Sequence, residues 1–458
     1  MQAKENKMGV MPINKLIINM SLPIMASMLV QALYNIVDSV FVSMIEQPGV
    51  TTEEALSAVS TAFPIQNLLI AVATGTGVGL NALISRSLGE KNNEKANKIA
   101  QNGVFLGIMS FLLFVIVGIF AVRPFFEAQT HNEVIIEQGV IYTTIVSVAS
   151  IGIFMEITFE RLMQSTGKTI YTMFTQGSGA IINIVLDPIF IFTFDMGVAG
   201  AAIATVIGQI AAGIIGILFN YFKNKEIKVN LKRFRPDFKI IKEIYAIGIP
   251  SIIMASIGSI MYFGVNKILY SMANGVAAAT VFGVYFKLQS FIFMPVFGLN
   301  NGLIPIIGYN YGARNRRRIM KTFRSGTIFA VSLMLIGVIL FQFFPEFLLG
   351  CFNATESMLK IGAPALRTIS ICFVFAGVCI VIGSLFQAFG KGVSSMLVSI
   401  TRQLIILLPA AYLLSLSGEV NAVWWSFPIA EIGSLLISLI LFIRLYKTII
   451  SKIPDGND

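Results

Sequence analysis

Two polar stripes, each ending in an acid, follow one face of a predicted helix within an otherwise apolar segment. The first stripe is Gln31, Asn35 and Asp38, and the second is Gln176, Asn183 and Asp187. Their spacings of i, i+4, i+7 and i, i+7, i+11 match the 3.6-residue period of a helix. A charge near the centre of a bilayer costs from about 3 to more than 10 kcal/mol, so each acid needs a partner or a function.

Depth along the predicted helices brings the two acids to one level. At a rise of ~1.5 Å per residue, Asp38, Asn183, Asp187 and Thr205 all fall in the outer half of the membrane. Oxygen ligands of this kind suit a proton or a hard cation such as Na⁺. Two nearby carboxylates also favour holding one proton, because like charges disfavour double ionisation. The alternative is a hydrogen-bonded patch that only holds the helices together.

A second set of charges lies in the other half of the chain. Arg402 and Glu431 each stand about ten residues into a predicted helix, and the two helices run in opposite directions. Both residues should therefore lie near the midplane, where a structural ion pair is favoured over a role in substrate binding. The same half also has Lys267, Lys287 and Arg367 within apolar segments.

Membrane helices must position these residues. Hydrophobic residues make up 56% of the chain and charged residues 12%, with a mean hydropathy of +0.81, whereas soluble domains carry about 25% charge. Apolar runs long enough to cross a bilayer predict twelve spans, near 14–45, 54–86, 96–121, 134–161, 169–193, 198–222, 240–272, 276–310, 317–343, 357–388, 392–415 and 420–447.

The Lys and Arg residues predict the orientation of these spans. They concentrate at both termini, in alternate loops and in the segment 224–238, while the opposite loops carry mainly acids such as Glu53, Asp195 and Glu419. Cytoplasmic loops are the basic ones, so both termini should be cytoplasmic in a multi-pass protein of the cell membrane. The net charge of +10 is then a topology signal that implies no nucleic-acid partner, and the basic linker should meet anionic lipid head groups.

The chain is an internal duplication. The stretch Leu162–Lys168 returns 223 positions later as Leu385–Lys391, and the same offset aligns Gly79 with Gly302. We expect an N-lobe at 1–223, a cytoplasmic linker at 224–238 and a C-lobe at 239–458. Six spans per lobe is an even number, so the all-α lobes should be related by a pseudo-two-fold axis along the membrane normal.

Several functional classes are disfavoured. One histidine, His131, and three cysteines argue against a zinc site, a disulfide framework or a membrane-embedded enzyme. The segment Ser165–Thr169 resembles the end of a phosphate-binding loop, but Leu162 stands where that motif requires glycine. We therefore expect no ATP use, no cofactor and no metal beyond a coupling Na⁺.

Together, four motifs resemble the multidrug and toxic compound extrusion (MATE) family over nearly the whole chain. They are Tyr34–Asp38, Asn183–Pro188, Gly197–Ala202 and Gly308–Ala313. The resemblance implies two six-helix lobes around a central cavity and drug efflux driven by H⁺ or Na⁺. It also implies a cation-coupling site at Asp38, Asn183, Asp187 and Thr205. We assign the substrate cavity beside that site to Gln31, Tyr34, Asn35 and Gln176.

This chain departs from some members of the family at a second cation site, and it has a candidate hinge in span 1. Some members of the family bind their coupling cation to acids on spans 7 and 10, where this chain has Lys267 and Arg367, so that second site should be absent. Pro23 interrupts the hydrogen bonding of span 1, and in the family a proline at the matching position has been proposed to bend this helix.

The sequence therefore predicts a monomeric antiporter that exports amphipathic drugs or toxic metabolites by alternating access. The alternative with the same architecture is a flippase for a lipid-linked or polysaccharide substrate. Neither the choice between H⁺ and Na⁺ nor the drug spectrum follows from the residues.

Overall fold

The computed structural model describes residues 6–45, 49–230, 232, 234–352 and 355–456. Within these ranges ten helices are long and apolar enough to cross a membrane, and two bent helix pairs bring the number of spans to twelve. The prediction of an all-α membrane protein with twelve spans is confirmed. The spans, numbered in chain order, are Ile13–Val42, Thr52–Gly89, Asn93–Phe120, Glu133–Val148 with Ile151–Ser165, Thr169–Thr193, Gly197–Lys223, Phe238–Tyr270, Gly275–Gly312, Arg316–Phe343, Glu356–Ser370 with Phe373–Ala388, Gly392–Ser415, and Val420–Lys452.

Spans 4 and 10 are bent by 45° and 47°, which the apolar runs did not predict. At the bend of span 10, Ser370 Oγ donates to the Arg367 carbonyl at 3.1 Å and Cys372 Sγ donates to the Ile369 carbonyl at 3.0 Å. Side chains that bond to carbonyls of the preceding turn compete with the helix ladder. These bonds accompany the bend of span 10, and neither break contains a proline.

Two spans also contain π-helical segments. Ile189–Thr193 follows Asp187 and Pro188 at the end of span 5, and Thr401–Leu407 forms the middle of span 11. Spans 5 and 11 occupy corresponding places in the two halves of the sequence. Segments of this kind are rare in helices and frequently occur at functional sites.

Contacts divide the chain into two compact units. The N-terminal unit is Ala26–Ile252, and the C-terminal unit comprises the described residues of Met1–Met25 and Ile253–Asp458. The unit boundaries therefore fall within spans 1 and 7, three residues or fewer after Pro23 and Pro250. The units therefore differ from the sequence halves. The beginning of span 1 belongs to the C-terminal unit, and the beginning of span 7 belongs to the N-terminal unit.

The N-terminal unit is held together by small residues and an apolar core. A Cβ on Gly152 of span 4 would lie 2.6 Å from the Ile210 nitrogen of span 6, so only glycine permits this approach. Phe114 and Phe154 pack at a ring distance of 5.7 Å within a buried cluster of spans 2, 3 and 4. The segment that leads into span 7 is fixed to span 3, because Asn97 and Asn102 accept hydrogen bonds from the backbone of Lys228 and Asp237.

The C-terminal unit fixes the beginning of the chain in a similar way. The short helix Lys7–Val10 buries Met8, and the buried Arg318 of span 9 donates to the carbonyls of Met8 and Met11 at 3.2 and 2.7 Å. Arg316 also binds Asp455 near the C-terminus and holds the pKa of that carboxyl below its usual range. The described ends of the chain are thus attached to one helix.

Candidate functional site

The polar residues of spans 5 and 6 meet because the two helices approach closely. A Cβ on Gly208 of span 6 would lie 2.7 Å from the carbonyl oxygen of Gly179 in span 5, so the helix backbones are nearly in contact. One turn beyond Gly179, this approach directs Asn183 toward Thr205. Apolar helices with glycine contacts can therefore hold a polar cluster rigidly between them.

Asn183 is the centre of this cluster. Its Nδ2 donates to Asp187 Oδ1 at 3.2 Å and to Thr205 Oγ1 at 3.4 Å. Asp187 and Asn183 are 0% and 3% exposed. Three of the four residues assigned to the coupling site are thus joined by hydrogen bonds.

Asp38 lies beside this cluster within the N-terminal unit. Its carboxylate interacts electrostatically with Asp187, and both acids interact with the hydroxyl of Tyr34. Three acceptor oxygens of the site are buried without a hydrogen-bond partner among the described side chains, and they are Asp38 Oδ1, Asn183 Oδ1 and Asp187 Oδ2. Buried polar atoms are almost always satisfied, so these oxygens are available to a proton or a hard cation.

The structure adds two residues that the sequence did not identify. Tyr142 of span 4 is 2% exposed and accepts a hydrogen bond from Gln66 Nε2 of span 2 at 2.9 Å. Tyr142 interacts electrostatically with Asp38, Tyr34 and Asp187. The sequence could have indicated Gln66, because it is a polar residue deep in an apolar run. It belongs to neither polar stripe.

The residues assigned to the substrate cavity are partly brought together. Gln176 Nε2 donates to Gln31 Oε1 at 3.3 Å, which joins spans 1 and 5. Tyr34 is half-buried near the acids. The side chain of Asn35 lies outside the described residues.

In the C-terminal unit, Arg402 Nη1 lies 3.1 Å from Glu431 Oε2. The two cations that replace acids on spans 7 and 10 are exposed side chains, and Arg367 bonds to the carbonyl of Gln342 at 3.2 Å. Among the described residues, no three His, Cys, Asp or Glu side chains are grouped in a way that could hold a metal ion. The cation chemistry of the N-terminal cluster would therefore depend on carboxylate, amide and hydroxyl oxygens.

The chain resembles known proteins over most of its length. The family model described as MatE matches residues 23–189 and 250–413. The multidrug export protein MepA of Staphylococcus aureus (strain N315) is 26% identical over 435 residues, covering 92% of this chain and 91% of MepA. MepA of Staphylococcus haemolyticus is 27% identical over 432 residues, covering 91% and 90%. A solved outward-facing multidrug resistance MATE transporter of the MOP superfamily superimposes with a TM-score of 0.90 at 25% identity, covering 98% of this chain and all of that one.

Proposed function

The chain belongs to the MATE family of multidrug efflux transporters, and from that premise we propose that it exports amphipathic compounds in exchange for H⁺ or Na⁺. The exchange uses Asp38, Asn183, Asp187 and Thr205 as the cation-coupling site. No ATP takes part, and the protein works as a monomer in the cell membrane.

The observation that carries this proposal is the set of unpartnered oxygens in the N-terminal unit. Two carboxylates and one amide leave an acceptor atom each without a hydrogen bond among the described residues. Other buried atoms of the described residues also lack partners, but here two of them belong to neighbouring carboxylates, and an unsatisfied buried group costs about 1–3 kcal/mol, more when it is charged. The cost is offset when a cation binds.

The two acids and Asn183 have different roles in cation coupling. Asp38 and Asp187 repel each other when both are ionised, and a bound H⁺ or Na⁺ removes that repulsion. Asn183 holds the Asp187 carboxylate through its Nδ2, which leaves Oδ2 free for the cation. Binding therefore changes the charge between spans 1 and 5, and such a change can alter the relative stability of two conformations of the transporter.

Transport in proteoliposomes under separate gradients tests the proposal. Purified protein is reconstituted, and export of a fluorescent amphipathic dye is measured with a pH gradient alone and with a Na⁺ gradient alone. One gradient should accelerate dye movement, and collapsing it with an ionophore should remove the acceleration. Equal dye movement with and without both gradients would refute cation coupling.

The orientation is part of the same proposal. Its basis is the concentration of Lys and Arg in alternate loops, which predicts cytoplasmic termini. In a variant lacking the native cysteines, an impermeant maleimide should label a cysteine at the exposed Glu419 in intact cells. It should label a cysteine at the exposed Lys225 only after the cells are opened, and the reverse pattern would overturn the orientation.

A further inference from the structure

Arg402 occupies the position in the C-terminal unit where a substrate group would be expected to bind. It is the second residue of the π-helical segment Thr401–Leu407 and lies ten residues after the start of span 11. At ~1.5 Å per residue this places it ~15 Å into the membrane, near the midplane. Transporters commonly bind their substrates at that depth, next to irregular helices.

Its guanidinium group is only partly used. The Arg402 side chain is 29% exposed, and its one hydrogen bond among the described residues runs from Nη1 to Glu431 Oε2. A guanidinium group has five N–H donors and keeps its charge at any physiological pH. Donors that point in other directions therefore remain available to a ligand.

The pair is also incomplete on the acidic side. The Glu431 side chain is 7% exposed, and its Oε1 is buried without a hydrogen-bond partner in the described part of the chain. A buried ion pair that serves stability needs excellent geometry and satisfied lone pairs. A single N–H···O contact with a free second oxygen does not meet that condition, so the arrangement favours a role other than stabilisation.

The surroundings of the pair suit an amphipathic anion. Span 7 lies beside the pair, since a Cβ on Gly258 would be 3.9 Å from Gln403 Oε1. One turn along span 7, the ring of Tyr262 stacks on Phe282 at 5.2 Å, and the Phe282 ring lies 5.9 Å from that of Phe427, one turn before Glu431 on span 12. An arginine whose partner lies one turn from an aromatic cluster suits a molecule with one anionic group and an apolar body.

We propose that Arg402 binds the anionic group of an amphipathic substrate, such as an aryl carboxylate, and that Glu431 holds the guanidinium in place when the substrate is absent. This inference rests on the proposed exporter function and extends it by naming a substrate class. Glu431 is a positioning residue, because it acts through Arg402.

Three pyrene probes that differ in charge test the proposal. They are 1-pyrenebutyrate, its methyl ester and 1-pyrenemethylammonium, and binding to the purified full chain is followed by fluorescence anisotropy. The wild-type protein should bind the carboxylate at least about tenfold more tightly than the ester, which corresponds to ~1.4 kcal/mol. Equal affinities for the carboxylate and the ester would overturn the assignment.

Variants connect that preference to the pair. Arg402→Gln with Glu431→Gln removes both charges and keeps groups that can hydrogen-bond, so the carboxylate preference should vanish while ester binding stays within about twofold. Arg402→Lys keeps the charge without the planar fork and should lose only part of the preference. Arg367→Gln, an exposed cation of span 10, is the matched control and should bind like the wild type.

The readout separates this site from the exporter proposal because binding needs no gradient. A carboxylate preference that survives in the double variant, with an unchanged melting temperature, would remove Arg402 from substrate binding. If the ion pair were purely structural, the double variant would weaken all three probes alike. A wild type that shows the preference without gradient-driven transport would refute the exporter proposal and leave the anion site standing.

Discussion

Spans 5 and 6 of the N-terminal unit and spans 11 and 12 of the C-terminal unit descend from the same repeat but carry different chemistry. With an offset of 222 or 223 residues, Asn183, Asp187 and Thr205 correspond to Ile406, Ala410 and Phe427. Conversely, Arg402 and Glu431 correspond to Gly179 and Gln209. The acids of the N-terminal site and the ion pair of the C-terminal unit thus lie at positions where the other half has no charge.

The difference follows from how closely the helices pack. In the N-terminal unit, Gly179 and Gly208 bring the backbones together, and this allows the short side chains of Asn183 and Thr205 to bond at 3.4 Å. In the C-terminal unit, two long side chains bridge the corresponding helices, with Arg402 and Glu431 3.1 Å apart. Short oxygen-bearing side chains suit a small cation, whereas a long guanidinium side chain suits a larger anionic group.

Replacing the acids of the N-terminal cluster should have the largest effect on transport. Asp38→Asn and Asp187→Asn each remove one of the two mutually repelling carboxylates, so gradient-driven efflux should fall to the rate without a gradient. The variants should still fold, because removing an internal charge need not destabilise a protein. Dye export by proteoliposomes is the measurement.

The matched control is Asp195→Asn, which makes the same change at an exposed position beyond the end of span 5. Its transport should equal that of the wild type. Full gradient-driven export by either internal variant would exclude that acid from the coupling site.

Removing one partner of the C-terminal pair should also lower stability, whatever the pair does in substrate binding. Arg402→Ala leaves the carboxylate of Glu431 buried and unpaired, which should lower the free energy of unfolding by ~3–5 kcal/mol. Replacing both residues with alanine should cost less than the sum of the single changes. A double-mutant cycle by denaturant unfolding measures the coupling, and strict additivity would mean that the pair does not interact.

The sequence predicted the twelve spans and the two charged groups because both follow from simple patterns. Apolar length defines a span, and depth at a fixed rise per residue brought Asp187 and Thr205 to one level, where the structure connects both to Asn183. Arg402 and Glu431 were placed near each other by the same reasoning. These predictions needed no information about neighbouring helices.

Other features left no pattern that the sequence analysis could use. Span 10 bends next to Cys372, whose thiol bonds to a carbonyl of its own helix, and an apolar window cannot distinguish a bent helix from a straight one. Tyr142 and Gln66 are single polar residues on different spans, and only the packing of spans 2 and 4 joins them. Contacts between distant residues also decide that spans 1 and 7 each begin in the unit of the other half.

Replacing Pro23 tests whether a bend in span 1 contributes to transport. This proline lies two residues before the end of the segment that belongs to the C-terminal unit. Proline in a helix interior costs ~3 kcal/mol relative to alanine, so Pro23→Ala favours an unbent span 1 and should slow transport without abolishing cation binding. Pro64→Ala, in a span that stays within one unit, is the control.

Spin labels at the exposed residues Ile18 and Ile181 measure the conformations directly. The distance distribution should change with pH or Na⁺ in the native sequence and stay fixed in Asp38→Asn and Pro23→Ala. An unchanged distribution under all conditions would leave Pro23 as a static kink.

Tyr142→Phe, which removes one hydroxyl group, should have the smallest effect on transport. The change removes the acceptor of the Gln66 hydrogen bond beside Asp38 and Asp187 and keeps the ring that packs in the core. A hydrogen bond of this kind contributes about 0.5–1.5 kcal/mol, so the concentration of the coupling cation needed for half-maximal transport should rise about two- to tenfold. The maximal rate should be unchanged because both carboxylates remain.

Tyr285→Phe makes the same change at a buried tyrosine of the C-terminal unit, near Glu431 and far from the cation site in sequence, and it should leave the cation requirement unaltered. Equal shifts in both variants would mean that the loss of a buried hydroxyl acts through general packing, and the Gln66–Tyr142 pair would then have no specific part in cation binding.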